Sequence, residues 1–318
     1  IPKVKAALGP ARQRQGPKTG DKQQPGPDRP VGARKPQEGA GGGRGIKVHP
    51  IALGRIGNLT HLWVRLWHLR HLGHRFGLMS DAKIRLYVDQ PLGPGQAVAL
   101  TGDQAHYLVG VMRLAPGDAV LLFNGRDGEW RASLATAGKR GAIATCEEAT
   151  RPLRLPPDLW LVFAPIKKVR TDFIVEKAVE LGVRRLQPVQ TRHTNSERIR
   201  QDRLQAHAVE AAEQCGATFV PDVAELQPLD KLLAGWPQGR ALYWCDETAL
   251  GQPATITGEP GPAAILIGPE GGFSAEESRR LRALPGIRPL SLGPRILRAD
   301  TAAVAAITLW QAALGDWR

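Results

Sequence analysis

Residues 263–298 read AAILIGPEGGFSAEESRRLRALPGIRPLSLGPRILR, and the internal repetition of this stretch decides the fold. Ala263–Ile267 is an apolar run too short for a helix and closed by a turn, the pattern of a buried strand. Gly268-Pro269-Glu270-Gly271-Gly272 follows. Ser274 and Glu277 then stand three apart at the head of a helical pattern. That is the spacing of a capping box, in which the Ser oxygen accepts from an orphan helix N–H and the Glu reaches back to the cap. The same parts recur at once. Pro289–Leu292 reads as a second strand, Gly293-Pro294-Arg295 as a second tight loop, and Ala302–Leu314 as a second helix with Asp300 or Thr301 as its cap. Ligands bind at the carboxyl ends of strands in open α/β sheets, so both loops are candidates for one binding site.

Upstream of this stretch the α/β texture extends back to Leu159. Strand Leu159–Ala164 leads into a basic loop, Lys167-Lys168-Val169-Arg170, and a helix over Thr171–Leu181 that ends at Gly182. Strand Arg185–Gln190, helix Arg200–Cys215 and strand Ala241–Cys245 follow, an alternation that predicts a mainly parallel sheet. Arg151–Pro157 is Pro-rich and reads as a linker. Before it the texture is β. Ile84–Val88, Ala97–Leu100, Ala119–Phe123 and Glu129–Leu134 read as short strands with turns between them, and Asp103–Met112 as a helix. Together they suggest a small barrel.

The chain has 318 residues and a formal net charge of +13. Residues 1–78 hold 15 Lys and Arg against 3 Asp and Glu, whereas residues 79–318 hold 28 against 27. The high isoelectric point therefore belongs to the first quarter, and any basic surface of the body is a local patch. Residues 1–48 are rich in Gly, Pro, Lys, Arg and Gln and cannot bury enough surface to offset ordering entropy. Residues 51–78 carry Leu, Trp, His and Arg without acid, the composition of a transit-like or membrane-surface segment. Composition, charge and hydrophobic pattern all change at Met79, so residues 1–78 are read as a disordered or non-native extension. Residues 79–150 then form the barrel and residues 151–318 the α/β domain. The three cysteines, Cys146, Cys215 and Cys245, form no CxxC, which argues against zinc and a disulfide framework and suits a reducing, cytoplasmic setting. No apolar run approaches the roughly 18 residues that span a bilayer.

Gly268–Gly272 is neither GxGxxG nor a phosphate loop. An ordinary turn accounts for such a stretch taken alone. The second loop changes the balance, because Arg295 and Arg298 flank it just before a helix N-terminus, where positive charge opposes the helix dipole. A bound anion supplies a reason for them. Glu210 and Glu213 share a helix face, which is more often solvated than catalytic. His106 and His193 are isolated and read as structural. Arg192-His193-Thr194-Asn195-Ser196 is a polar loop after a strand, a suitable place for substrate contacts.

The stretches ILIGPEGG (265–272), LGPRILR (292–298) with Thr301, KAVELG (177–182) and EAAEQCG (210–216) occur in the order found in one family. From Ile84 onward the chain resembles ribosomal RNA small-subunit methyltransferase E, of the SPOUT class. The resemblance implies a PUA-like β-barrel followed by an α/β SPOUT methyltransferase domain with a C-terminal trefoil knot, acting as a homodimer. It implies S-adenosyl-L-methionine-dependent methylation of N3 of one uridine in 16S ribosomal RNA, free or in the assembled small subunit, with no membrane partner and no metal. Carried over residue by residue, Leu266, Gly268, Glu270, Gly271 and Gly272 match the first cofactor loop, and Leu292, Gly293, Ile296 and Leu297 the second. Arg85, His106 and Arg113 match polar positions that look like RNA contacts. Two positions depart from the family pattern: Ala217 stands where Arg is usual, and Asp300 where Glu is usual.

Methyl transfer from a sulfonium is an in-line displacement, and uracil N3 is a poor nucleophile while it holds its proton. Cations near O2 or O4 stabilise the anion left when the proton leaves, and Arg298 and Arg192 are the candidates for that role. The target base must be unpaired or flipped out to be reached. The alternative is a non-catalytic RNA-binding module acting in ribosome assembly, which shares the barrel and basic patches. The intact cofactor loops favour the enzyme.

Overall fold

A computed structural model describes residues 82–318 except 139–140, 196–198, 247, 249–250 and 252. The extension expected over residues 1–78 lies outside the described residues.

The N-terminal part is a five-stranded sheet in the order β1-β3-β4-β5-β2. Its strands are β1 (Arg85–Tyr87), β2 (Ala97–Leu100), β3 (Ala119–Phe123), β4 (Glu129–Gly138) and β5 (Gly141–Arg151). β1 runs parallel to β3 and the other pairs are antiparallel. Val98, Leu122, Ala132 and Ala144 point into one shared core. β5 is a strand with no clear mark in the sequence, and it carries the chain to Arg151, the first residue of the Pro-rich stretch 151–157. Its inward residues are Ala142, Ala144 and Cys146, small side chains that make a weak hydrophobic alternation.

The helix expected over residues 103–112 divides in two. α1 (Gly102–Ala105) is started by a capping box of Thr101 and Gln104, and a π-helical segment, His106–Val111, continues it. Gly110 makes room for this segment: a Cβ there would lie 3.0 Å from the His106 ring. Arg113 ends it with φ at 59°, a left-handed conformation rare for a residue with a side chain.

The C-terminal part is a sheet in the order β12-β10-β11-β6-β7-β8, with β9 paired to β7. β6 (Leu159–Phe163), β7 (Arg185–Gln190), β8 (Asp222–Val223), β9 (Gln227–Pro228), β10 (Ala241–Cys245), β11 (Ala263–Ile267) and β12 (Ile287–Leu290) all pair in parallel. Helices α2 (Lys168–Glu180), α3 (Gln201–Cys215) and α6 (Ala299–Leu314) cover one face. The short α4 (Leu229–Ala234) and α5 (Ala275–Ala283) cover the other. β11 is buried on both faces, which is why AAILI lacks polar alternation: Ile265 packs toward α2 and α6, and Leu266 toward α4 and α5.

β11 and β12 are consecutive in sequence but not neighbours in the sheet, because β10 lies between them. After β12 the chain returns over the strand ends, and α6 packs against α2 and β11. That return brings the loop after β12 to the loop after β11. α6 starts earlier than expected, at Ala299 with Arg298 as its N-cap. Asp300 is not the cap. Its carboxylate accepts from Thr301 N at 2.9 Å and lies 3.7 Å from Arg170 Nε, inside the first turn. An acid is favourable there for the helix dipole.

A charged clamp joins the two sheets. Arg85 donates to Glu129 at 2.6 Å and to the carbonyls of Ala212, Glu213 and Ala217 at the end of α3 at 2.7–2.8 Å. Arg151 donates to Glu129 and, at 2.8 Å, to Gly216 O. Burial alone would raise the Glu129 pKa, but hydrogen bonds from Arg151, Arg85 and Thr150 hold it down at about 2. Glu213 accepts from Tyr87 N at 2.8 Å, so the carboxylate read as part of a solvated face ties α3 to β1.

Candidate functional site

The loops after β11 and β12 face each other across a cleft of about 240 Å³ at the carboxyl end of the sheet. Gly268, Pro269 and Glu270 form one wall; Leu292, Gly293 and Ile296 form the other. Leu297 and Ala302 add apolar surface, and Arg298 lies at the edge. The glycines are required by close approach. A Cβ on Gly268 would stand 2.7 Å from the Phe273 ring, and one on Gly271 would stand 3.1 Å from His193 Cβ. Gly293 adopts φ of 97°.

The first loop is held from behind. Ser274 and Glu277 make the expected capping box, with Ser274 N donating to Glu277 Oε2 at 2.8 Å. The other oxygen of Glu277 accepts from Arg192 N at 2.8 Å. His193 Nδ1 lies 3.0 Å from Gly271 O and 3.2 Å from Gly272 O. The polar loop after β7 is therefore fastened to the first cleft loop. Phe273, which fills the space beside Gly268, stands edge-on to Trp244 with ring centroids 5.9 Å apart.

The end of β10 supplies the floor between the two loops. Cys245 lines the cleft, and burial pushes its thiol up to about 12, so it is a neutral group. Asp246 follows, 9% exposed, and also lines the cleft. Thr248 donates to Asp246 Oδ1 from its amide at 2.9 Å and its hydroxyl at 2.7 Å. Arg282 reaches Oδ2 at 3.3 Å.

Of the residues expected at the site, Gly268, Glu270, Leu292, Gly293, Ile296 and Leu297 line this cleft with Arg298. Gly271 and Gly272 form the turn behind it, closed by Gly272 N donating to Pro269 O at 3.0 Å. Leu266 is fully buried beneath the loop. Arg192 is exposed and lines an adjoining depression with Glu277 and Arg280 rather than the cleft itself. His106 and Arg113 are exposed on and just after the π-helical segment of the N-terminal part, beside Tyr107 and Met112. Arg85, expected at the RNA, has each of its guanidinium nitrogens engaged in the clamp. Cys245 and Asp246 were missed, although a strand-end reading of Ala241–Cys245 points to them. His193 was read as isolated because its partner is 78 positions away.

A family model described as an RNA methyltransferase domain matches residues 153–311, and one described as an RNA methyltransferase PUA domain matches residues 100–146. The chain is 33% identical over 217 residues to ribosomal RNA small subunit methyltransferase E of Synechocystis, covering 66% of this chain and 71% of that protein. It is 28% identical over 228 residues to the protein of the same name from Rickettsia conorii, covering 70% and 93%. Among solved structures it is similar to ribosomal RNA small subunit methyltransferase E from Neisseria gonorrhoeae bound to S-adenosyl methionine. That match has a TM-score of 0.68 and 29% identity, and covers 74% of this chain and 99% of the other. A methyltransferase from Legionella pneumophila in complex with the same cofactor matches with a TM-score of 0.65 and 30% identity, covering 73% and 98%.

Proposed function

The chain belongs to the ribosomal RNA small subunit methyltransferase E family, and on that premise we propose that it methylates N3 of one uridine in small-subunit ribosomal RNA, with S-adenosylmethionine as donor. The observation that carries this reading is the cleft between the two Gly-Pro loops, with apolar walls and a guanidinium at its edge.

The residues present fit the donor. Leu292, Leu297 and Ala302 offer apolar lining for an adenine ring, and the tight loops bring backbone N–H and C=O groups close to it. Cys245 adds a neutral, weakly polar thiol to the floor of the cleft. When bound, S-adenosylmethionine supplies an electrophilic methyl group and departs as the neutral sulfide. The chain's own part is to place and activate the base. Arg298 donates to a uracil carbonyl oxygen and stabilises the charge left as the N3 proton goes to water. Arg192, on the loop fastened behind Gly271, contacts the nucleotides that flank the target. His106 and Arg113 hold the RNA at a distance from the cleft, where phosphate contacts set register.

The remaining expectations belong to the same reading. The extension ends near residue 78, the RNA-binding part spans 79–150 and the catalytic part 151–318. The return of the chain after β12 carries the trefoil knot. Two copies form a homodimer, which works in the cytoplasm. Among the described residues no helix is long and apolar enough to cross a membrane.

Calorimetric titration with S-adenosylmethionine and its demethylated product, followed by nucleoside mass analysis of treated small-subunit RNA, tests the proposal. Binding of both, with methyl label recovered as N3-methyluridine, is the expected result. A folded protein that binds neither is a non-catalytic RNA-binding module instead. Label on another base position overturns the assignment of N3.

A further inference from the structure

We propose that Asp246 binds the ribose hydroxyls of the adenosyl ligand. The inference rests on the methyl-donor reading above and assigns a residue to it. β10 lies between β11 and β12, so the residue that follows β10 emerges between the two cleft loops. That residue is an aspartate, 9% exposed, in a cleft whose walls are otherwise largely apolar. A carboxylate buried among apolar groups is costly unless its oxygens meet donors. Oδ1 is served twice by Thr248, at 2.9 and 2.7 Å. Oδ2 has a stretched contact with Arg282 at 3.3 Å, and Arg282 is itself half-exposed and lies over the Trp244 ring. Thr248 thus fixes the carboxylate while Oδ2 keeps acceptor capacity for the cleft.

An ionised carboxylate only accepts, so its ligand must bring donors. An adenosyl compound offers three: the ribose hydroxyls, the ammonium of the methionyl part, and the adenine amino group. The position favours the ribose. In dinucleotide-binding sheets the acid that meets the ribose hydroxyls likewise ends a strand beside the Gly-rich one, although there the loop is GxGxxG and precedes the acid in sequence, so the parallel is one of place in the sheet alone. Asp246 ends the strand beside β11, whose loop is Gly268–Gly272.

The test is calorimetric titration of the full chain with S-adenosylmethionine, S-adenosylhomocysteine and 5′-methylthioadenosine, which lacks the amino-acid part. Asp246→Ala is expected to weaken all three by a similar factor, about 10- to 100-fold. Asp246→Asn, which keeps shape and the Thr248 contact, weakens them less. The 2′-deoxy and 3′-deoxy forms of S-adenosylhomocysteine bind the native chain more weakly than the parent. In Asp246→Ala that discrimination disappears, because residue and hydroxyl are no longer coupled. Retained affinity for methylthioadenosine with loss of the other two places the ammonium at Asp246 and overturns the proposal. So does discrimination against the deoxy forms that persists in the variant. A native chain that binds no adenosyl compound removes the methyl-donor reading and this inference together. A native chain that binds them, with Asp246→Ala equal to it, removes this inference alone.

Discussion

The Nδ1 atom of His193 lies 3.0 Å from the carbonyl oxygen of Gly271, a bond that ties the loop after β7 to the loop after β11. A second bond, from Arg192 N to Glu277, reinforces the union. A loop carrying an exposed arginine is thereby registered against the wall of the cleft.

Loss of this bond should misplace the RNA rather than the donor. His193→Ala is expected to lower kcat/KM for RNA about 10-fold, because small displacements at a reacting centre are costly. Affinity for S-adenosylmethionine should stay within about twofold, since the imidazole stands behind the loop. Steady-state kinetics beside calorimetry check the split. Equal loss of RNA turnover and donor affinity would instead mean that His193 shapes the cleft.

The Glu129 clamp gives a pH dependence. Its pKa falls from an ordinary 4.5 to about 2 in the folded protein. The unfolded chain therefore holds more protons between those values, and the clamp's contribution, complete above the ordinary value, is lost as pH falls toward 2. Glu129→Gln leaves the Arg85 guanidinium, 12% exposed, without its carboxylate beside a half-exposed Arg151, and should cost about 3 kcal/mol at neutral pH, chiefly through Arg85. Denaturation of both proteins across pH should show a gap that is flat above pH ~5 and closes in acid. A gap that persists unchanged at low pH would show that packing, not charge, holds this junction.

Gly268→Ala should weaken the donor site through Phe273. The added methyl carbon meets the ring at 2.7 Å, and the ring is held in turn by Trp244. Overpacking of this kind costs about 1–3 kcal/mol. Donor affinity should fall, and Phe273→Leu in the same chain should restore part of it. Calorimetry on the single and double variants reads the coupling; no restoration would place the strain in the backbone.

Much of this site was legible in the sequence, for local reasons. The capping box at Ser274 and Glu277 and the buried strand Ala263–Ile267 depend on neighbours within a few positions, and both stand where the pattern put them. What escaped depends on distant partners. Arg85 matched an RNA-contact position by resemblance, yet its carbonyl partners lie about 130 positions on, at the end of α3. β5 escaped because Ala142, Ala144 and Cys146 make a faint alternation. Asp246 escaped because sequence order sets β11 beside β12, whereas the sheet inserts β10. α6 begins at Ala299 without a polar cap, so no Ser, Thr, Asp or Asn marks its start.

RNA affinity should depend on salt with a slope set by few contacts, because residues 79–318 carry almost balanced charge. Arg113→Ala should reduce the slope of log K against log salt by about 0.7 if it meets one phosphate of an unpaired strand. His106→Ala should lower affinity as well. Filter binding from 50 to 300 mM salt, roughly the range over which counterion release is read, measures both. An unchanged slope in Arg113→Ala would remove this residue from the footprint.

Arg298 offers the sharpest test of the chemistry. It is exposed at the edge of the cleft and caps α6 through its backbone, with its carbonyl accepting from Ala302 N at 2.7 Å. The side chain makes no capping bond, so its removal leaves the helix start intact. Arg298→Ala should therefore keep the fold and the donor affinity while lowering kcat about 100- to 1,000-fold, the scale of a lost charge-stabilising donor. Arg298→Lys keeps the charge but not the planar fork, and should fall between. The pH profile carries the mechanism. A guanidinium that stabilises the uracil anion makes N3 ionise more easily on the enzyme, so without it the rate should rise further into alkaline pH before levelling. Single-turnover rates across pH, with RNA and donor saturating, separate this from binding. Full turnover in Arg298→Ala, with an unshifted profile, would move the stabilising role to another group.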